Sequence, residues 1–397
     1  MRRAAQLATF VQGRAAEITA AASLRKKLAS GRTLRIKFGI DPTTPDLHLG
    51  HVVPLRLLRA FQDAGHRAVL IIGDFTGQIG DPSGKMSARR QLTAAETHAN
   101  ERSYRKHIGR ILDLRHTEIH HNREWYGRMR LQDFLTILTH VSLRSAWERD
   151  DFQKRLAAGR EVKLYEAMYH VLQAYDSVMV RADVEIGALD QKLNILAGRA
   201  LQKRIGFRYP PQDAVLTPYL VGIDGKQKMS KSVGNTVNLS DAPRDMFGKL
   251  MAIPDGCITD YARLAAWLPD SDIRLVQHRL ALRENPRDVK LDVAERTVTL
   301  YHGAARAAAA RREFVELFSK RNASTFLPSR AISPGAYRPV DLAIAVDASL
   351  SRSTARRLVA AGGFAVDGRV VTLNTATLTI RSGTTIRLGK KRYVRVA

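Results

Sequence analysis

The chain of 397 residues contains a single cysteine, Cys257. One thiol excludes an internal disulfide and any multi-thiolate zinc centre, and it is compatible with a reducing compartment. No apolar run approaches the length needed to span a bilayer, so no membrane partner is expected. Residues 1–10, MRRAAQLATF, lack the apolar segment of a secretory signal. Their two arginines and small residues could pass for the start of a transit peptide, but an amphipathic helical pair expected over residues 11–28 leaves little to cleave. A cytoplasmic protein is therefore expected. Acidic residues are scarce: 38 Asp and Glu face 64 Lys and Arg, a formal net charge of +26. Codon bias is an alternative source of an arginine-rich composition, yet such an excess favours a polyanionic partner whose phosphates release counterions on binding. No carboxylate cluster with dedicated metal-ligand spacing is visible, so no resident metal is expected. With 45% hydrophobic residues, a chain of this length suits two or three domains.

Two short motifs carry the chemistry. His48-Leu49-Gly50-His51 stands at the expected start of a helix, and Lys228-Met229-Ser230-Lys231-Ser232 stands near the middle of the chain. A histidine pair alone is more often a satisfied surface or core pair, and a Lys/Ser stretch is usually a solvated loop. Together they make two halves of one ATP-handling device: imidazoles flanking a glycine can reach a triphosphate, and two loop lysines can neutralise a departing pyrophosphate. Asp41-Pro42-Thr43-Thr44-Pro45-Asp46 directly before the first motif reads as a turn that ends a strand and offers cap oxygens to the coming helix. In this form and order the motifs resemble the two signatures of the class I aminoacyl-tRNA synthetases.

Strands are expected over residues 34–40 and 67–73, joined by a helix over 48–64 with apolar positions at Val52, Leu55, Leu58 and Phe61. That βαβ unit implies a Rossmann-like, doubly wound parallel sheet in an α/β catalytic domain, with ligands at the carboxyl ends of the strands. Asp41 and His48 then lie at the binding edge. Gly80-Asp81-Pro82-Ser83-Gly84-Lys85-Met86 looks like a phosphate loop, but its glycines are one residue too close and Met86 replaces the hydroxyl residue. Gly73, Gly77 and Gly80 are expected to let the backbone approach a small ligand, with Asp81 at the pocket floor.

Residues 37–51, 72–85, 165–194 and 216–254 narrow the resemblance to the tyrosyl-tRNA synthetase family. Its Tyr-x-x-x-Gln-x-x-Asp segment is matched by Tyr169, Gln173 and Asp176, three polar residues that share one helix face. The resemblance implies that Tyr169, Gln173 and Asp81 hold the α-ammonium of tyrosine, and that Asp176 accepts the hydrogen bond of the phenol. Lys37 stands where many members have a tyrosine that meets the substrate hydroxyl. The usual Gly-Gly-Thr/Ser-Asp-Gln stretch reads Gly187-Ala188-Leu189-Asp190-Gln191, in which Asp190 is implied for the ribose and Gln191 for the amino-acid end. Val52 and Val53 after His51 supply no extra hydroxyl to the nucleotide.

On this resemblance Asp41, Thr43, His48, Gly50, His51, Asp190, Lys228 and Lys231 bind ATP, and the two histidines and two lysines stabilise charge on the transferring phosphates. Magnesium accompanies ATP. The product is a tyrosyl-adenylate, and tRNA(Tyr) then takes the tyrosine on its terminal ribose. Gly225 and Gly234 flank the lysine loop as bending points.

The resemblance divides the chain into a catalytic domain over 1–240, a helical anticodon-binding domain over 241–325, a linker over 326–339 and an S4-like RNA-binding domain over 340–397. In the last, a helix opening at Ser351 and closed by Gly362-Gly363 carries Arg352, Arg356 and Arg357 toward tRNA, and an Asp367-Gly368 turn makes a hairpin. A homodimer is implied by the family. Two alternatives stay open. A tryptophan-specific relative is disfavoured by Asp176 and by the S4-like ending. A synthetase-derived RNA-binding protein that forms no adenylate is kept open by Ala188-Leu189.

Overall fold

Two short apolar runs flank the first histidine motif, and both become parallel strands of one sheet. The computed structural model describes residues 2–83, 92–142, 144, 149–206, 209–319, 329–330, 332–347, 350–389 and 392–396. Gly84, Lys85 and Met86 of the loop that mimics a phosphate motif lie outside these residues, as do 320–325 of the expected helical region and 326–328 and 331 of the expected linker.

The sheet contains β1 (Glu17–Ile18), β2 (Arg35–Ile40), β3 (Arg67–Ile72), β4 (Thr117–His121), β5 (Val184–Ala188) and β6 (Asp213–Thr217), in the order β1-β6-β5-β2-β3-β4. All neighbours are parallel except β1, which runs antiparallel along β6. Strand order reverses between β2 and β5, so the carboxyl ends of these two strands form the switch point at which an open α/β sheet binds its ligands. The helix Leu49–Asp63 returns the chain from β2 to β3. Its expected apolar positions Val52, Leu55, Leu58 and Phe61 are all fully buried. The fold is therefore α/β with a largely parallel sheet.

The amino-terminal segment departs from the expected helical pair. A helix over Arg2–Arg14 is followed by β1, and only then by the helix Ala21–Ala29. Strand pairing wins at Glu17 and Ile18 because β6 offers an edge, with Ala16 N–H and Thr19 N–H donating to the carbonyls of Leu216 and Ala214. Helices continue after the sheet over Pro243–Met251, Ile258–Leu264, Asp270–Ala281, Pro286–His302 and Ala304–Ser319. No described helix is long and apolar enough to cross a membrane.

Two compact units divide the chain, residues 1–308 and 309–397. The second has its own core, in which Leu342, Val346, Ala355, Val359, Phe364 and Ile386 come together. Its hairpin joins Phe364–Val366 to Arg369–Val370 through Asp367 and Gly368, both at positive φ (45° and 80°). That pair of angles is what a two-residue Asp-Gly hairpin turn requires.

Candidate active site

The two motifs, far apart in sequence, are joined by backbone pairing. Leu49 N–H donates to Val237 O and Leu239 N–H to Leu47 O, while Met229 N–H donates to Leu220 O. Met229, Val237 and Leu239 are buried, so the lysine loop is anchored at its middle to Leu220 and, after its end, to the segment that starts the histidine helix. Gly225 and Gly234, flanking that loop, both sit at positive φ (68° and 75°), where glycine is favoured.

Around this junction lies a cavity of about 580 Å³, of the size that holds a small ligand or cofactor. Of the expected site residues, Asp41, Thr43, His48, Gly50, His51, Asp81, Tyr169, Gln173, Asp176, Asp190, Gln191 and Lys228 all line it. Lys37 and Lys231 do not. Lys231 Nζ rests on the turn before the histidine helix, donating to Thr44 Oγ1 at 2.9 Å and to Asp46 O at 2.6 Å. Lys228 takes the other side: its ammonium is ion-paired with Asp190 and lies 4.5 Å from the centroid of the Tyr219 ring.

The histidines form a stacked pair with ring centroids 3.7 Å apart. His48 is the N-cap residue of the helix, and its backbone N–H donates to His51 Nδ1 at 3.3 Å, which leaves the neutral His51 ring with its proton on Nε2. The pair takes the place that the preceding Asp and Thr oxygens were expected to fill; Thr44 Oγ1 is turned to Lys231 instead. Burial, with the charges of Lys231 and Lys228 acting in the same direction, pushes the His48 pKa down to about 3. His48 is thus a neutral ring, and positive charge at this end of the cavity comes from the lysines. Gly50 is needed beside it, because a Cβ there would stand 3.0 Å from His48 Nδ1 and 3.1 Å from its Cε1.

Asp41, at the carboxyl end of β2, ties the two ends of the cavity together. Its Oδ1 accepts from Thr76 Oγ1 and its Oδ2 from Tyr169 Oη, each at 2.8 Å. A Cβ on Gly73 would lie 1.9 Å from Asp41 Oδ1 and 2.4 Å from Thr76 Oγ1. The close approach expected at Gly73 is therefore to these side chains. Asp81 accepts from Gln191 Nε2 at 2.7 Å and from the Ser83 backbone N–H at 2.9 Å.

The helix Leu164–Met179 carries Tyr169, Gln173 and Asp176. Asp176 is buried and accepts from Trp125 Nε1 (2.9 Å) and Tyr126 Oη (3.0 Å) on Oδ1, and from Asn122 Nδ2 (3.3 Å) on Oδ2. Burial raises its pKa to about 6; the Lys37 charge leads the opposing influences, followed by these three hydrogen bonds. Asn122, Trp125 and Tyr126 have no motif to announce them. The available signal is only their place just beyond the carboxyl end of β4.

Two departures in the strand-to-helix stretch have local explanations. Ala188 ends β5 at φ −78°, ψ 163°, extended backbone that accepts a Cβ without strain. Leu189 packs against the apolar cluster of Ile195, Ala214 and Leu216. Lys37 lies beneath the lining, fully buried, with its three N–H groups donated to Gln173 O (3.1 Å), Ser177 Oγ (2.7 Å) and Glu185 Oε1 (2.8 Å). An ammonium has three donors, so none is left for a substrate hydroxyl.

Comparison with known proteins identifies the family. The sequence pattern of the family described as tRNA synthetases class I (W and Y) matches residues 29–319. A tyrosine--tRNA ligase of Moorella thermoacetica is 39% identical over 376 residues, covering 94% of this chain and 91% of that protein. One of Symbiobacterium thermophilum is 42% identical over 377 residues, covering 94% and 92%. Among solved structures, a C-terminally truncated mitochondrial tyrosyl-tRNA synthetase of Aspergillus nidulans shares the fold with a TM-score of 0.65 at 19% identity, covering 79% of this chain and 99% of that one. With a family match over residues 29–319 and relatives about 40% identical along almost the whole length, the chain belongs to the class I tRNA synthetases of the W and Y type, within the tyrosine–tRNA ligase family.

Proposed function

We propose that this cavity activates L-tyrosine with ATP and then passes the tyrosine to the 3′-terminal ribose of tRNA(Tyr). One observation carries the reading: a single cavity holds a buried carboxylate, Asp176, suited to a phenol hydroxyl, together with the histidine pair and Lys228. The ionised carboxylate of tyrosine attacks the α-phosphorus of ATP and pyrophosphate leaves. The chain contributes positioning and stabilisation of charge. Thr43, Gly50, His48 and His51 receive the nucleotide, Asp190 its ribose, and Lys228 and Lys231 the leaving phosphates. Tyr169, Gln173, Gln191 and Asp81 hold the amino-acid end. Magnesium is assigned to the ATP phosphates it accompanies.

The helices of 241–325 serve the anticodon and residues 340–397 form an S4-like RNA-binding module, joined by 326–339. Support for the latter lies in the helix Arg352–Ala360. Ser351 Oγ caps it by accepting from Thr354 N–H at 3.2 Å, Ala355 and Val359 face the core, and Arg352, Arg356 and Arg357 are exposed. We assign the enzyme to the cytoplasm, as a homodimer. Replacing the three arginines together by alanine should leave pyrophosphate exchange intact while weakening tRNA binding and charging at physiological salt. The slope of log affinity against log salt should flatten by about 0.9 for each phosphate that is no longer neutralised. Unchanged charging with an unchanged slope would remove these arginines from tRNA binding.

A further inference from the structure

Lys37 and Glu185 are direct register partners on the adjacent parallel strands β2 and β5, at the switch point of the sheet. Side chains at paired positions leave a sheet on the same face, so the register alone places the ammonium against the carboxylate. Both are buried; Lys37 is 0% and Glu185 1% exposed. Glu185 Oε1 receives Lys37 Nζ and Gln173 Nε2 (3.3 Å), while Oε2 receives Ser177 Oγ (2.8 Å) and the buried Gln212 amide. Lys37 in turn holds Gln173 by its carbonyl and Ser177 by its hydroxyl. Every polar atom of the pair thus has a partner, and those on the pocket helix are Gln173 and Ser177, residues that bracket Asp176. A buried ion pair is expensive to maintain relative to apolar packing, so stability alone is a weak reason for this one.

We propose that Lys37 and Glu185 are positioning residues for the amino-acid pocket: anchored on two strands, the pair fixes Gln173 and, through its charge beneath Asp176, keeps that carboxylate in the form that selects a hydroxyl-bearing side chain. The proposal rests on the reading of the cavity as a tyrosine site. The groups facing Asp176 are Lys37 from β2, Tyr126, Trp125 and Asn122 from the segment after β4, and Tyr169 on its own helix. The Lys37 ammonium opposes the burial that raises the Asp176 pKa. Glu185 is ion-paired with that ammonium at 2.8 Å and partly neutralises it.

The test is the pH dependence of kcat/KM for tyrosine in ATP–pyrophosphate exchange, with phenylalanine as competitor, in the full-length enzyme. Wild type should gain activity as pH rises through an inflection near 6, the value at which Asp176 ionises. K37M should move that inflection upward and cut the preference for tyrosine over phenylalanine at least tenfold. E185Q leaves the ammonium unbalanced and should move the inflection the opposite way. The double variant K37M/E185Q buries no lone charge and keeps both side-chain volumes; because the two single shifts oppose each other its inflection should lie below that of K37M, while its kcat/KM for tyrosine should still fall because Gln173 is no longer held by the ammonium, so it decides the matter if K37M fails to fold. A folded K37M with the wild-type inflection and preference would overturn the proposal, as would a folded double variant with the wild-type kcat/KM for tyrosine, or shifts of the same sign in K37M and E185Q. Failure of the underlying site reading looks different: the wild type itself would then show no preference for tyrosine.

Discussion

Replacing Lys231 by alanine should lower the rate of tyrosyl-adenylate formation by on the order of a hundredfold or more, about 2.7 kcal/mol of transition-state stabilisation. In the structure Lys231 Nζ rests on Thr44 and Asp46, in the turn that carries Thr43 into the cavity lining. Partial burial draws its pKa down, with Asp46 opposing. Lys228 is held on the other side by Asp190, between two glycines that let the loop bend. The two ammonium groups are therefore separated in this structure, and the reaction brings negative charge to the space between them as pyrophosphate departs. Tyrosine binding should be nearly unchanged in the variant, since Lys231 contacts none of Tyr169, Gln173 or Asp176, and an interaction made mainly at the transition state alters kcat more than substrate affinity. Single-turnover adenylate formation and equilibrium tyrosine binding separate the two effects. Equal rates in the variant and wild type would take Lys231 out of the mechanism.

A second large effect is expected at Asp176. A site built to hydrogen-bond a substrate hydroxyl rejects an analogue lacking it by about 10⁴-fold or more; tyrosine–tRNA ligases are the standard example of this rule, so the figure belongs to the family and is not read from this cavity. Asp176→Asn should reduce the preference for tyrosine over phenylalanine by roughly ten- to 150-fold, the equivalent of about 1.5–3 kcal/mol for a hydrogen bond to a charged group. The variant should still fold. Its amide oxygen can keep the bonds from Trp125 and Tyr126, and only the longer bond from Asn122 is lost, since that amide is fixed by the Phe75 N–H on its oxygen and by Thr76 Oγ1 on its nitrogen. Because Asn does not titrate, the inflection near pH 6 should vanish from the tyrosine profile. Persistence of that inflection would assign it to another group.

Much of the architecture is legible in the sequence because it is written in short periodicities. Alternation of two apolar strands around one amphipathic helix suffices to place Asp41 and His48 at the carboxyl edge of a parallel sheet, and the three-to-four-residue spacing of Tyr169, Gln173 and Asp176 suffices to align them. What the sequence conceals depends on contacts between distant segments. Trp125 and Tyr126 reach Asp176 from about fifty positions away. Glu185 meets Lys37 across a strand pairing whose register no local pattern specifies, and without it a lysine at that position looks like a ligand contact. Leu189 reads as a missing hydroxyl, yet it faces the apolar side of its turn. Ile18 reads as helix because the edge of β6, which captures it, lies some two hundred residues downstream.

The central claim is that one cavity activates tyrosine, and ATP–pyrophosphate exchange measured with each amino acid in turn tests it most directly. Tyrosine should support exchange, with phenylalanine and tryptophan lower by orders of magnitude. Exchange driven preferentially by tryptophan, or absent with every amino acid while the protein still binds tRNA, would contradict it.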